Sequence, residues 1–215
     1  RMIDHTLIKL TATRDEVVRL CREARKYSFG CIVVNPYYIP LARDELKTSS
    51  VKVGSTVGFP IGATLADVKA EEARKVVELG AEEIDMVMNM SAFKSMDFDA
   101  VRQDIEAVVG VKQLNPNMIV KVIIETSFLT DSEKSTACRL VKEAKADFVK
   151  TSTGLFGGGA TVKDIKLMRR AVGKEMGVKA AGGIRTLEDT LAMIEAGASR
   201  IGTSTAVKII EEMPK

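Results

Sequence analysis

Tryptophan is absent from the 215 residues, aromatic residues make up only 5%, and there is a single histidine, His5. So few rings offer no stacking platform for bases or sugars. One histidine also argues against a His-based zinc centre. The three cysteines, Cys21, Cys31 and Cys138, are odd in number and form no Cys-x-x-Cys pair, which excludes a disulfide framework and a paired-thiolate metal site. No apolar run approaches the ~20 residues of a membrane span. With 32 basic against 29 acidic residues the net charge is +3, and no Lys/Arg run is interleaved with aromatics, so nothing marks a nucleic-acid surface. No secretory pattern opens the chain, which starts at Arg1 and leaves room for a short preceding segment. These features set the expectation of a soluble cytoplasmic protein without nucleic-acid or membrane partners.

What is present is a steady alternation of strand-like and helix-like segments, with no linker or low-complexity stretch, and hence one domain over 1–215. The strand candidates Cys31–Asn35, Val53–Val57, Ile84–Met88, Val120–Glu125, Phe148–Thr151, Val178–Ala181 and Arg200–Gly202 are short and apolar on both phases. Strands that read this way are buried on both faces, as in a parallel sheet covered by helices. Met2–Asp4 supplies a short first strand and brings the count to eight. Thr13 with Glu16 forms a capping box, and Thr64/Asp67, Thr161/Asp164 and Thr186/Asp189 are its Thr-x-x-Asp relatives, each followed by apolar residues at helical spacing. About 27 residues per βα unit fits a (β/α)8 TIM barrel near its minimal size. The rival, an open doubly wound sheet, lacks the Gly-x-Gly-x-x-Gly signal of its dinucleotide-binding form.

Three ionisable residues interrupt these apolar strands: Asp85 in EIDMVMN, Lys150 in FVKTSTG and Lys179 in VKAAGG. A charge in such a strand must be paired, hydrated or functional. All three fall toward the C-terminal strand ends, where barrel active sites are built. A structural ion network is the alternative, but two lysines and a carboxylate at matching depth favour catalysis. Burial and a neighbouring ammonium both depress a lysine pKa, freeing the amine to attack a carbonyl, and a carboxylate alongside can move protons. Imine chemistry on an aldehyde or ketone follows, with neither metal nor organic cofactor.

A second constellation suits phosphate. Gly182, Gly183, Ile184 and Arg185 follow the seventh strand, and Gly202 with Ser204 belongs to the eighth strand and the loop after it. Those are the recurrent phosphate loops of barrels, where glycines let backbone N–H groups approach the oxygens. Gly154 and the run Gly157 to Gly159 follow the Lys150 strand as a third loop or a lid.

The strings VKTSTG, KAAGGIRT, KVIIET and EIDMVMN, with IDHTLIKL, CIVVNPYYIPLA and GSTVGFPIGA, resemble the deoxyribose-phosphate aldolase family in collinear order over the whole chain. The resemblance implies a class I aldolase that reversibly cleaves 2-deoxy-D-ribose 5-phosphate to D-glyceraldehyde 3-phosphate and acetaldehyde. It implies Lys150 as the Schiff-base nucleophile, Lys179 as the neighbour that lowers its pKa, and Asp85 as acid/base partner. It places the phosphate against Gly182, Gly183, Ile184, Arg185, Gly202 and Ser204 with Gly154 nearby, and Thr153 near the substrate hydroxyls. Asp4 and Cys31 are implied at the pocket's edge, although the residue type favours Cys31 as a small core residue, and Lys121 and Glu125 are implied as supporting charges. A homodimer or homotetramer is also implied. Two departures stand out: Leu155 replaces a lysine that some members use for phosphate, and the C-terminal tyrosine of some members is missing. A transaldolase-like enzyme and a non-catalytic sugar-phosphate binder are the competing readings. The first would lack the Lys150/Lys179 pair, and the second would have lost one of the two lysines or Asp85. His5 is expected to be a packed or surface residue.

Overall fold

The computed structural model describes residues 1–214. Eight strands, β1 (Ile3–Leu7), β2 (Cys31–Val34), β3 (Lys52–Val57), β4 (Glu83–Val87), β5 (Ile119–Ile123), β6 (Phe148–Lys150), β7 (Gly177–Ala181) and β8 (Arg200–Thr203), pair in parallel and in chain order. β8 pairs with β1 and closes the barrel. The helices between them are α1 (Arg14–Tyr27), α2 (Ile39–Leu46), α3 (Ala66–Leu79), α4 (Met90–Lys94), α5 (Phe98–Val109), α6 (Asp131–Glu143), α7 (Val162–Val172), α8 (Leu187–Glu195) and α9 (Ala206–Glu211). Among the described residues no helix is long and apolar enough to cross a membrane.

Partners in a parallel ladder share a face of the sheet. The register Asp85↔Lys121, Ile123↔Lys150, Lys150↔Lys179 and Lys179↔Arg200 therefore runs charged side chains around the barrel interior. The opposite phase (Ile32, Ile84, Met86, Val120, Val122, Val149, Val178, Ile201) packs outward against the helices. The strands thus divide their phases, apolar outside and largely ionic within, although the sequence reads as apolar on both.

Three helix starts match their capping signals. Thr13/Glu16 and Thr186/Asp189 form reciprocal boxes, and Thr161 caps α7 through the Asp164 N–H. Thr64 does not cap α3: Leu65 is its N-cap residue, without a side-chain bond. The buried face of α3 is Lys69, Ala73 and Val76, whereas Leu65 and Val68 are 70% and 48% exposed. Lys69 is buried because its Nζ donates to Asp104 (2.7 Å) and to the Val87 carbonyl (2.9 Å), a pairing that helical periodicity alone does not reveal. A further capping box, Thr130/Glu133 on α6, went unread in the sequence.

Candidate active site

The ion network in the barrel is built by six strands. Lys150, on β6, places Nζ 2.6 Å from Asp85 Oδ2, and Lys179, on β7, reaches the same oxygen at 2.6 Å. Lys121, on β5, takes the other Asp85 oxygen at 2.8 Å and Glu83 at 2.6 Å. Lys179 also lies 2.5 Å from Asp4 Oδ2, and Arg200 holds Asp4 Oδ1 at 2.7 Å and Glu83 at 3.3 Å. Asp85, Lys150 and Lys179 are 1%, 3% and 0% exposed.

Three carboxylates (Asp4, Glu83 and Asp85) therefore face four cationic residues (Lys121, Lys150, Lys179 and Arg200). Lys121, Lys179 and Arg200 already balance the carboxylates, so a protonated Lys150 is the uncompensated charge. Its pKa falls accordingly to about 8: burial is the main cause, the Lys179 and Lys121 charges add to it, and Asp85 opposes it. Burial and the neighbouring lysine thus both activate the amine, as the sequence suggested, with burial the larger cause. Burial would raise Asp85, yet Lys121, Lys150 and Lys179 together hold it well below the carboxylate range. Burial works the same way on Asp4, which Lys179, Lys121 and Arg200 bring down to about 2. Burial would lower Lys121, but Asp85, Asp4 and Glu83 hold it well above the ordinary lysine value.

The charge count yields a test. Removing Lys179 makes Lys150 the cation that the three carboxylates require. Lys179→Met is expected to move the alkaline midpoint of the pH–kcat/KM profile upward from about 8, with activity at pH 7 falling accordingly. A midpoint that stays put or moves down contradicts the count.

Of these groups, Lys150 alone lines the cleft above, which has a volume of about 330 Å³. All eight predicted binding residues line it as well: Thr153, Gly154, Gly182, Gly183, Ile184, Arg185, Gly202 and Ser204. Lys179 and Asp85 lie beneath. Two approaches are close at glycines, and the second requires one. A Cβ on Gly202 would sit 3.0 Å from Lys179 Cε, and one on Gly159 would sit 2.5 Å from the Gly182 carbonyl oxygen. That second contact, with the bond from Ala160 N–H to the same oxygen (3.0 Å), docks the glycine-rich loop onto the Gly182 loop. Beside the cleft, Pro60, Ile61, Met90, Phe128 and Phe156 form an apolar recess of about 160 Å³ that Ile123, the register partner of Lys150, also lines.

Several placements differ from the sequence reading. Asp4 is no edge residue: it is fully buried at the centre of the network. Glu125 stands outside the network; its Oε2 accepts from the Thr153 N–H (2.9 Å) and so fixes the loop after β6. The Thr153 hydroxyl accepts from the Leu155 N–H (3.2 Å). Cys31, by contrast, is the small buried residue its type favoured: it lies inside the barrel, its thiol pushed well up first by burial and then by Glu83 and Asp4. Asp4, Cys31 and Glu83 bring three donor atoms within 4.8 Å of one another, but the carboxylates already hold lysine and arginine charges and the thiol stays protonated, which does not suit a cation. His5 is packed, as the sequence suggested: it lies edge-on against Phe29 and binds Glu23 at 2.8 Å. Glu83 and Arg200 escaped notice, although each precedes an inward site residue (Asp85, Gly202) by two positions and so shares its face.

The model of the DeoC/LacD family aldolases matches residues 2–211. The chain belongs to that family. It is therefore an aldolase, a carbon–carbon lyase. Among its relatives, the deoxyribose-phosphate aldolase of Thermococcus gammatolerans is 57% identical over 98% of this chain and 94% of its own. That of Thermoanaerobacter sp. is 54% identical over 100% and 96%. The tetrameric deoxyribose phosphate aldolase of Aeropyrum pernix superposes with a TM-score of 0.90 at 36% identity, covering 98% of this chain and 88% of that one. This DeoC/LacD barrel thus carries its network on a scaffold shared with those aldolases.

Proposed function

We propose that this barrel cleaves 2-deoxy-D-ribose 5-phosphate to D-glyceraldehyde 3-phosphate and acetaldehyde, and joins them in reverse, through a Schiff base on Lys150. The observation that carries the reading is a single buried lysine, with its pKa lowered to about 8, reaching from the ion network into a cleft walled by glycine loops and Arg185.

The neutral Lys150 amine attacks C1 of the open-chain sugar, and loss of one water gives the imine. Protonated, the imine draws the electrons of the C2–C3 bond as that bond breaks and the C3 hydroxyl gives up its proton. Glyceraldehyde 3-phosphate leaves, the enamine takes a proton at C2, and one water hydrolyses the imine to release acetaldehyde and restore the amine. Protons and water balance over the cycle. Asp85, held well below the carboxylate range, stays ionised, so Oδ2 serves as the shared acceptor between Lys150 and Lys179, whose nitrogens both lie 2.6 Å away. Gly182, Gly183, Ile184, Arg185, Gly202 and Ser204 hold the phosphate, with Gly154 and Thr153 on the sugar side.

Borohydride added with acetaldehyde is expected to fix an N-ethyl group on Lys150, read by peptide mass spectrometry. Labelling at a different lysine, or none at all, would remove Lys150 from the mechanism.

A further inference from the structure

The cleft contains a cation that the phosphate loops do not supply. Lys9, two residues beyond the end of β1, lines the same space as Lys150 and Arg185, from the wall made by Thr6, Leu7 and Ile8. Its side chain is half exposed, and Nζ lies 2.6 Å from Glu16 Oε1. Glu16 is itself fixed, because its Oε2 accepts the Thr13 N–H at 3.0 Å as one half of the capping box that starts α1. The Lys9 ammonium is therefore parked at the rim by a carboxylate that a helix end holds still.

Arg185 is the only other cationic side chain on the cleft wall besides Lys150, among the described residues. A phosphate dianion against the glycine loops would be left half-neutralised by Arg185 alone. Lys150, occupied by the carbonyl carbon, cannot serve that end. Lys9 can reach an anion without entering the ion network, and its tether already faces Ser204: Glu16, Thr6, Leu7 and Ser204 together line the adjoining groove. We propose that Lys9 is a phosphate-recognition residue, its ammonium turning from Glu16 to a phosphate oxygen when the substrate binds. Glu16 keeps its capping bond meanwhile. This rests on the aldolase reading of the cleft and adds to it a determinant of the preference for phosphorylated over unphosphorylated aldehydes.

Lys9→Met and Glu16→Gln are the variants to compare with the unmodified enzyme. The measurements are kcat/KM for 2-deoxyribose 5-phosphate and for 2-deoxyribose, and inhibition by inorganic phosphate. Lys9→Met is expected to shrink the preference for the phosphorylated sugar about ten-fold and to weaken phosphate inhibition by a similar factor, since a charge-assisted contact is lost. Glu16→Gln keeps the helix cap, because glutamine accepts at that position, and frees the ammonium; KM for the phosphorylated sugar is expected to fall. An unchanged preference and unchanged phosphate inhibition in Lys9→Met would overturn the proposal. So would an equal loss on both sugars. Acetaldehyde trapping at Lys150 in the same preparations separates the two readings: trapping that persists while the phosphate measurements do not move removes Lys9 alone, whereas no trapping in the unmodified enzyme removes the aldolase reading beneath it.

Discussion

Replacing Lys150 by methionine is expected to lower carbon–carbon cleavage by roughly 10⁴-fold or more, since the covalent route is lost outright. The same change is expected to leave the barrel more stable at pH 7. The folded-state pKa of Lys150 lies at about 8, below the ordinary 10.5, so the folded protein disfavours the protonated form. That penalty is complete below pH 8 and vanishes above the unfolded value. A shift of this size corresponds to about 3 kcal/mol. Methionine has a similar unbranched shape and no charge to desolvate. Denaturant unfolding of the two proteins at pH 7 and again near pH 10.5 checks both points: the variant should be the more stable at pH 7, and the gap should close at the higher pH. A variant markedly less stable at pH 7 would mean that the Lys150 ammonium is needed to hold the carboxylates together.

Asp85→Asn should act in the opposite direction on stability. Asp85 touches three lysine nitrogens within 2.8 Å. Without its charge, two carboxylates remain against four cations in a dry interior. Breaking a buried pair in this way costs about 3–5 kcal/mol. The amine is nonetheless released, since Asp85 is the group that pulls the Lys150 pKa upward. The alkaline midpoint should therefore move below about 8, opposite to its displacement in Lys179→Met. Adduct formation with acetaldehyde should survive while turnover falls by roughly 10²–10⁴-fold, because the acceptor between the two lysines is gone. Trapping kinetics and steady-state rates measured on the same preparation separate the two effects. Loss of trapping in a protein that still folds would show that Asp85 acts before the imine forms.

The barrel was readable from the sequence because its outward phase is largely apolar and its strands recur at short intervals. Lys150, Lys179 and Asp85 stood out for a related reason, being ions within apolar runs. What escaped was contact between distant segments. Nothing local marks Asp4 as a partner of Lys179, 175 residues away, or Arg200 as the clamp on Glu83, 117 residues away. Those pairings exist only once β8 meets β1. Apolar residues at helical spacing did not by themselves identify the buried face of α3: Leu65 and Val68 stay exposed, and the choice of Lys69 was made by Asp104 on a neighbouring helix. Lys9 went unremarked in the sequence, because nothing local shows that the loop after β1 brings it to the cleft.

Asp4 belongs to the first strand of the barrel and Arg200 to the last, and the two meet across the seam that closes it. A growing chain has neither the burial nor the completed set of counter-charges, so its lysine at position 150 remains an ordinary, protonated amine. Chemical reactivity is thereby withheld until β8 closes the barrel. Aldehydes that would form imines with an activated amine meet none on a half-made chain.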